Sequence, residues 1–217
     1  IAHDLKSPFT SLLGLTQIMA NGAGMMDAKA LANSALMVND SAKNVYKLLE
    51  NLLEWARLQM DQVQFDPQTI DLAELVMECL TPMEAVAREK EITLKADIGV
   101  IKASCDRAMI DTVIRNFVNN AIKFTDNAGE IRVTAKKEDQ RVRVSVTDNG
   151  IGMEGAQIEN LFNLGSGNST KGTKGEKGTG LGLLLCKDFI KMHDGEIDVQ
   201  SEIGKGSTFS FTLALSG

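Results

Sequence analysis

Histidine and cysteine are scarce in this 217-residue sequence: two of the first, His3 and His193, and three of the second, Cys79, Cys105 and Cys186. Three widely spaced thiols, odd in number and without paired ligand spacing, exclude a disulfide framework and a zinc site, and are expected to be buried and reduced. No apolar run approaches the roughly 18–20 residues of a membrane span, and no charged-then-apolar stretch before a cleavage site reads as a leader. With a net charge of −6 the chain lacks the basic face that broad nucleic-acid binding needs. What is present is a 43% hydrophobic content, enough for a true core. A cytoplasmic location is expected. The sequence opens at Ile1 in what already reads as helix, so upstream segments, membrane spans included, are expected to precede it, and any membrane contact to run through them.

The first sixty residues read as a helical hairpin. Leu5, Phe9, Leu12, Thr16 and Met19 form one stripe, and "NGAG" at 21–24 breaks it. Asp27 is a candidate cap for a second helix. From Leu31, spacings of three and four run through Ser34, Val38, Ser41, Val45, Leu48, Leu52 and Trp55, with Ala35, Ala42, Leu49 and Ala56 widening the seam. A single hairpin buries too little of such seams, so a homodimeric four-helix bundle is expected. His3 lies about 200° around the first helix from Leu5 and should face water, with Ser7 one turn on and Asp4 beside it. Taken alone, an exposed histidine near a helix start says little.

After Gln64 the pattern mixes helices with short alternating strands. Asp71 and Glu74 open a helix over "DLAELVMECLTPMEAVAREK", "ITLKA" reads as a strand, and a helix runs from about Asp106 to Phe124. "EIRVTAKKE" and "RVRVSVTD", separated by "DQ", form a hairpin, and "EIDVQS" pairs likewise with "STFSFTLAL". Hairpins exclude a purely parallel sheet. The fold class is therefore α+β: the helical hairpin over residues 1–62, then an α/β sandwich over 63–217 with helices on one face of a mixed, largely antiparallel sheet. No Gly/Pro linker marks the boundary.

Four clusters in the second half carry chemistry. "RNFVNNAIKFT" puts Asn116, Asn120 and Lys123 on one helix face, a set suited to phosphate oxygens and a hydrated magnesium ion, or simply to solvent. "DNGIGM" ends a strand, where Asp148 can accept from an exocyclic amine and Gly150 and Gly152 let a ligand ring approach the backbone, although an Asn-Gly turn needs only Asn149 and Gly150. Residues 163–177 are too polar to pack and suit a mobile lid. Gly178, Gly180 and Gly182 then open a leucine-rich helix whose free amides favour phosphate. That helix should stop at Gly195 in a left-handed cap, with His193 in its last turn structural. "GKGST" at 204–208 is explained by a tight turn and receives no chemistry.

In this order the clusters resemble the catalytic core of two-component sensor histidine kinases, within the wider Bergerat-fold group of ATPases. "HDLKSPF" is similar to the phosphoacceptor box of that family, "NFVNNAIKFT" to its N box, and "DNGIGM" and "GTGLGL" to its two glycine boxes. The resemblance implies ATP and Mg2+ as cofactors, His3 as the phosphorylated residue, Asp4 as general base on its other ring nitrogen, and Asn120 as magnesium ligand. Asn116 and Lys123 would contact phosphates, Asp148 the adenine amino group, and Gly150 and Gly152 would line that pocket. Gly178, Thr179, Gly180, Leu181 and Gly182 would hold phosphates beneath the lid, with Phe162 packing as the lid orders. Residues 1–62 would be the dimerisation and histidine phosphotransfer domain and 63–217 the catalytic ATP-binding domain. The partner would be a response-regulator receiver domain, whose dephosphorylation Ser7 would assist. Two alternatives stay open: a nucleotide-responsive dimeric signalling scaffold with little kinase activity, and a chaperone- or topoisomerase-like ATPase. The second would need a carboxylate close to Asn120, and Asp111 is more than two turns away.

Overall fold

A computed structural model of the chain describes residues 2–22, 26–60, 64–163, 171–174, 176 and 180–216. It separates into two units, Ile1–Met60 and Asp61–Gly217.

The first unit is two helices, α1 (Ala2–Gly22) and α2 (Ala28–Gln59). Asp27 caps the second as expected, its Oδ1 accepting from the Ala30 N–H at 2.6 Å. The α2 seam runs through Ala30, Ser34, Val38 and Ser41, all half-buried, to buried Val45. On α1 the burial departs from the expected stripe. Leu12, Leu15 and Met19 are half-buried, whereas Phe9 and Thr16 are exposed. A two-helix contact covers only a narrow strip of each surface, so Phe9, Leu13, Ile18, Leu36, Tyr46 and Leu53 stay exposed in the single chain.

The second unit is built on a seven-stranded sheet. Its strands are β1 (Gln68–Asp71), β2 (Thr93–Asp97), β3 (Lys102–Cys105), β4 (Glu130–Glu138), β5 (Arg141–Asp148), β6 (Ile197–Glu202) and β7 (Gly206–Leu215). The order is β1-β3-β7-β5-β4-β2, with β6 also paired to β7, and among the described residues the β2–β4 pairing alone is parallel. Both expected hairpins form. Asp139 turns the first with φ 50°, and Gly204 and Gly206, at φ 74° and 101°, turn the second.

The helices of this unit are α3 (Leu72–Leu80), α4 (Glu84–Glu89), α5 (Arg107–Phe124), α6 (Gly155–Asn160) and α7 (Gly182–Met192). The single helix expected after Asp71 is broken into α3, a 3-10 turn at Thr81–Met83 and α4, because Pro82 supplies no N–H for a continuing helix. Alternate side chains of β5, Val142, Val144 and Val146, are buried along with Phe209, Phe211 and Leu213 of β7. Against them lie Ile110, Val113, Ile114, Phe117 and Val118 of α5, where the Phe117 ring stands 5.3 Å from that of Phe209 and 6.1 Å from that of Phe211. This apolar face leaves the opposite side of α5, with Asn116, Asn120 and Lys123, only half-buried.

The cap of α7 differs from expectation. The left-handed residue is Asp194, at φ 51°, and not Gly195. Gly195 is glycine for another reason, since a Cβ there would stand 2.2 Å from the Thr212 carbonyl. All three cysteines are buried, none in a disulfide, and burial pushes the Cys105 thiol up to about 11. Among the described residues no helix is long and apolar enough to cross a membrane.

Candidate nucleotide-binding site

Helix α5 is fixed at its start. Asp106 accepts from the Ala108 and Met109 N–H groups through Oδ1, at 3.0 and 3.2 Å. Its own N–H donates to His193 Nε2 at 2.9 Å, while His193 Nδ1 lies 2.7 Å from the Phe189 carbonyl. A single neutral tautomer satisfies both contacts, Nδ1 donating and Nε2 accepting, and burial pulls the His193 pKa down. His193 is structural, as its position at the helix end implied.

Ten to seventeen residues into this anchored helix come Asn116, Asn120 and Lys123. Asn116 turns its amide nitrogen back to the Thr112 carbonyl at 3.0 Å. Its Oδ1 lies against Gly182, where a Cβ would stand 2.4 Å from that oxygen. The start of α7 is therefore seated on the Asn face of α5, and the absence of a side chain at Gly182 permits it. Gly180 next to it has φ 71° and is exposed, whereas Leu181 is buried. Gly178 and Thr179 lie outside the described residues.

Asp148 ends β5 and is buried, 6% exposed. Its Oδ1 accepts from the Gly150 N–H at 2.9 Å and the Ser207 N–H at 3.2 Å. Burial pushes its pKa up, and the two N–H donors oppose that. Among the described residues its Oδ2 takes no hydrogen bond, so one oxygen of a fixed carboxylate is left to accept. A plain Asn-Gly turn does not account for this. Asn149 is itself committed to the sheet, its Oδ1 accepting from the Glu130 N–H at 2.8 Å.

The glycines around Asp148 serve a purpose the sequence did not disclose. A Cβ on Gly150 would stand 2.3 Å from the Phe124 carbonyl, and one on Gly152, at φ 67°, 2.0 Å from that of Glu202. The close neighbours are thus the protein's own backbone. The "GKGST" turn, assigned no chemistry above, belongs to the same assembly: Ser207 holds Asp148, and a Cβ on Gly206 would stand 2.0 Å from the Asp148 carbonyl. No local pattern marks Ser207 as such a donor, because the contact spans 59 residues.

Of the expected lid, residues 171–174 and 176 are described, and they depart from a segment too polar to pack. Gly172 is buried, and the Thr173 N–H donates to the Lys123 carbonyl at 3.0 Å. Phe162 is half-buried, with Lys187 Nζ 5.7 Å from its ring centre. Burial lowers the Lys123 pKa; Glu176 raises it and Lys90 lowers it further. His3, Asp4 and Ser7 lie on the backbone of α1, and their side chains fall outside the described ones.

The residues suit a nucleotide with its magnesium: a buried carboxylate oxygen for an amine, and on one helix face amide N–H groups and an ammonium for phosphate and an amide oxygen for the metal. Comparison with known proteins places the chain among relatives and folds of one kind. The adaptive-response sensory kinase SasA of Prochlorococcus marinus is 29% identical over 216 residues, covering 98% of this chain, which spans 56% of that protein's length. The solved histidine kinase AdeS of Acinetobacter baumannii superposes with a TM-score of 0.78 at 22% identity, over the whole of both chains. The histidine kinase ThkA, solved in complex with the response regulator protein TrrA, gives 0.79 at 22% identity over 99% of this chain and 60% of that one. At such identities the two structures speak for the fold. The family of histidine kinase-, DNA gyrase B- and HSP90-like ATPases matches residues 105–217, from the start of α5 through Asp148 to the last strand, and it is to this family that the chain belongs.

Proposed function

We propose that the chain is the core of a sensor histidine kinase, which uses ATP to phosphorylate its own His3 and passes the phosphoryl group to an aspartate of a response-regulator receiver domain. The observation that carries the nucleotide half of this reading is Asp148, a buried carboxylate with one oxygen held by two N–H groups and the other available for an adenine amine. Asn116 and Lys123 would bind phosphate oxygens, with Gly178, Thr179, Gly180, Leu181 and Gly182 offering backbone amides. Asn120 would hold magnesium, which when bound neutralises charge developing on the transferred group.

His3 attacks as neutral imidazole, the form whose ring nitrogen carries a free lone pair. Asp4 takes the proton from its other ring nitrogen as positive charge develops on the ring. A bond forms from the imidazole nitrogen to phosphorus while the bond to the ADP oxygen breaks. Bringing His3 in line with the phosphate is the step a signal would control. Pro8, which lacks an N–H within the first helix, offers a place for that helix to bend.

The exposed Phe9, Leu13, Ile18, Leu36 and Leu53 of the hairpin support a homodimer paired into a four-helix bundle. ThkA was solved with a response regulator, which supports a receiver domain as this chain's partner. Ser7, one turn from His3, would orient the water that attacks a phosphorylated receiver. The reading places the chain in the cytoplasm, with any membrane attachment through segments outside this sequence and no role in nucleic-acid binding.

Incubation with γ-labelled ATP and magnesium tests the reading. The expected product is label on the protein that acid removes and alkali leaves, as a phosphorus–nitrogen bond requires. Absence of label with retained nucleotide binding favours a nucleotide-responsive scaffold, and steady release of free phosphate favours a direct ATPase.

A further inference from the structure

Lys90 is 5% exposed, and an ammonium that deep must be paired. It follows α4 and donates to the Ile122 and Lys123 carbonyls at 2.9 and 3.2 Å. These carbonyls belong to the last turn of α5, which lacks intrahelical donors and is the negative end of the helix dipole. Capping α5 would account for those two bonds alone. The ammonium also lies 2.9 Å from Thr173 Oγ1 and 2.6 Å from Glu176 Oε1, so that its three N–H groups are shared among four acceptors.

The surrounding contacts share one arrangement. The Thr173 N–H donates to the Lys123 carbonyl at 3.0 Å, and its hydroxyl, accepting from Lys90, donates to the Thr125 carbonyl at 3.0 Å. Glu176 also accepts the Lys174 N–H through Oε2 at 2.8 Å, and its carbonyl takes the Gly172 N–H at 2.8 Å. Lys174 Nζ donates to the Glu89 carbonyl, next to Lys90, at 3.1 Å. Gly172 has no space for a side chain: a Cβ would stand 2.4 Å from Glu176 Oε2 and 2.5 Å from Lys123 Cγ. The segment therefore packs on the stem of Lys123 itself.

We propose that Lys90, Thr173 and Glu176 form a clasp that holds residues 171–174 and 176 on the last turn of α5 and so positions Lys123 toward the phosphates of the nucleotide. The three are positioning residues. Lys90 and Thr173 bond to the Lys123 carbonyl, Glu176 acts on it through Lys90 and through its charge, and the clasp rests on the nucleotide reading given above. Glu176 has a second effect, because it is the counter-charge for two neighbouring ammonium groups, Lys90 and Lys123.

The test uses the chain as it stands, with a fluorescent anthraniloyl-ADP as probe. Thr173→Val and Glu176→Ala should each weaken ADP binding about tenfold, the cost of a lost hydrogen bond to a charged group. Both should speed tryptic cleavage after Lys174 by a similar factor, at a Tm within a few degrees of wild type. Thr173→Ser, which keeps the hydroxyl, should restore both properties. Wild-type affinity and cleavage in Thr173→Val and Glu176→Ala would overturn the clasp while leaving the nucleotide reading standing, as would failure of Thr173→Ser to restore them. A wild-type chain that binds no ADP would overturn the nucleotide reading, and the positioning role with it.

Discussion

Replacing Asp148 with Asn changes one heavy atom and isolates the proposed adenine contact. The Gly150 and Ser207 N–H groups both point at Oδ1, so the amide must set its oxygen there, because Nδ2 in that place would face two donors. The Nδ2 group then stands where Oδ2 stood, a donor opposite a donating amine. Loss of a hydrogen bond to a charged acceptor is worth about 1.5–3 kcal/mol, or about 10- to 150-fold in affinity. Stability should change by less than about 1 kcal/mol, since both N–H bonds persist and a neutral group escapes the burial that raises the carboxyl's pKa. Asp148→Ala is the poorer test, because it leaves two buried N–H groups unpaired at about 1–3 kcal/mol each. Calorimetric titration with ADP beside a thermal melt separates binding from folding. The raised pKa also means that wild-type affinity should begin to fall, as the pH is lowered, above the ordinary carboxylate range. Asp148→Asn binding ADP within twofold of wild type, with an unchanged melt, would refute the assignment.

Burial depresses the His193 pKa and outweighs the Phe189 carbonyl and Asp106, which both pull it up. The unfolded chain therefore takes up a proton first, near pH 6.5, and stability should decline as the pH falls from there through the depressed folded value. Denaturant melts between pH 5 and 7.5 should show that slope in wild type and a flatter one in His193→Gln; equal slopes would remove histidine as its source. Asn120→Ala should reduce magnesium-dependent labelling at least tenfold, measured by magnesium titration at fixed ATP, and an unchanged magnesium requirement would contradict the ligand role. Ser7→Ala should slow decay of a phosphorylated receiver in the presence of ADP while leaving His3 labelling within a few-fold. Equal decay rates would make Ser7 a plain surface residue.

Periodicity carried the long elements. Asn116, Asn120 and Lys123 share a face because 3.6 residues per turn puts them there, and the β4–β5 and β6–β7 hairpins announced themselves by alternation. The four-residue strands β1 and β3 are too short to establish a period, they pair with each other across about thirty residues or more, and β3 pairs also with the last strand. Asp148 was legible as a candidate, but its two N–H partners were only half so. Gly150 is two residues on, whereas Ser207 arrives from a turn whose local geometry explained every residue in it. Lys90 left no signal at all. An isolated lysine at the end of a helix reads as solvated, and the partner that defines it, Thr173, is 83 residues away. Gly195 shows the reverse case, a glycine read as a helix cap whose real constraint is the carbonyl of a distant strand.

In the proposed function one chain holds both an ATP site and the histidine it phosphorylates. Labelling of His3→Gln by γ-labelled ATP, with ADP affinity determined on the same preparation, separates the two. His3→Gln should carry no acid-labile label while binding ADP as wild type does. Labelling of His3→Gln at the wild-type level would contradict the account.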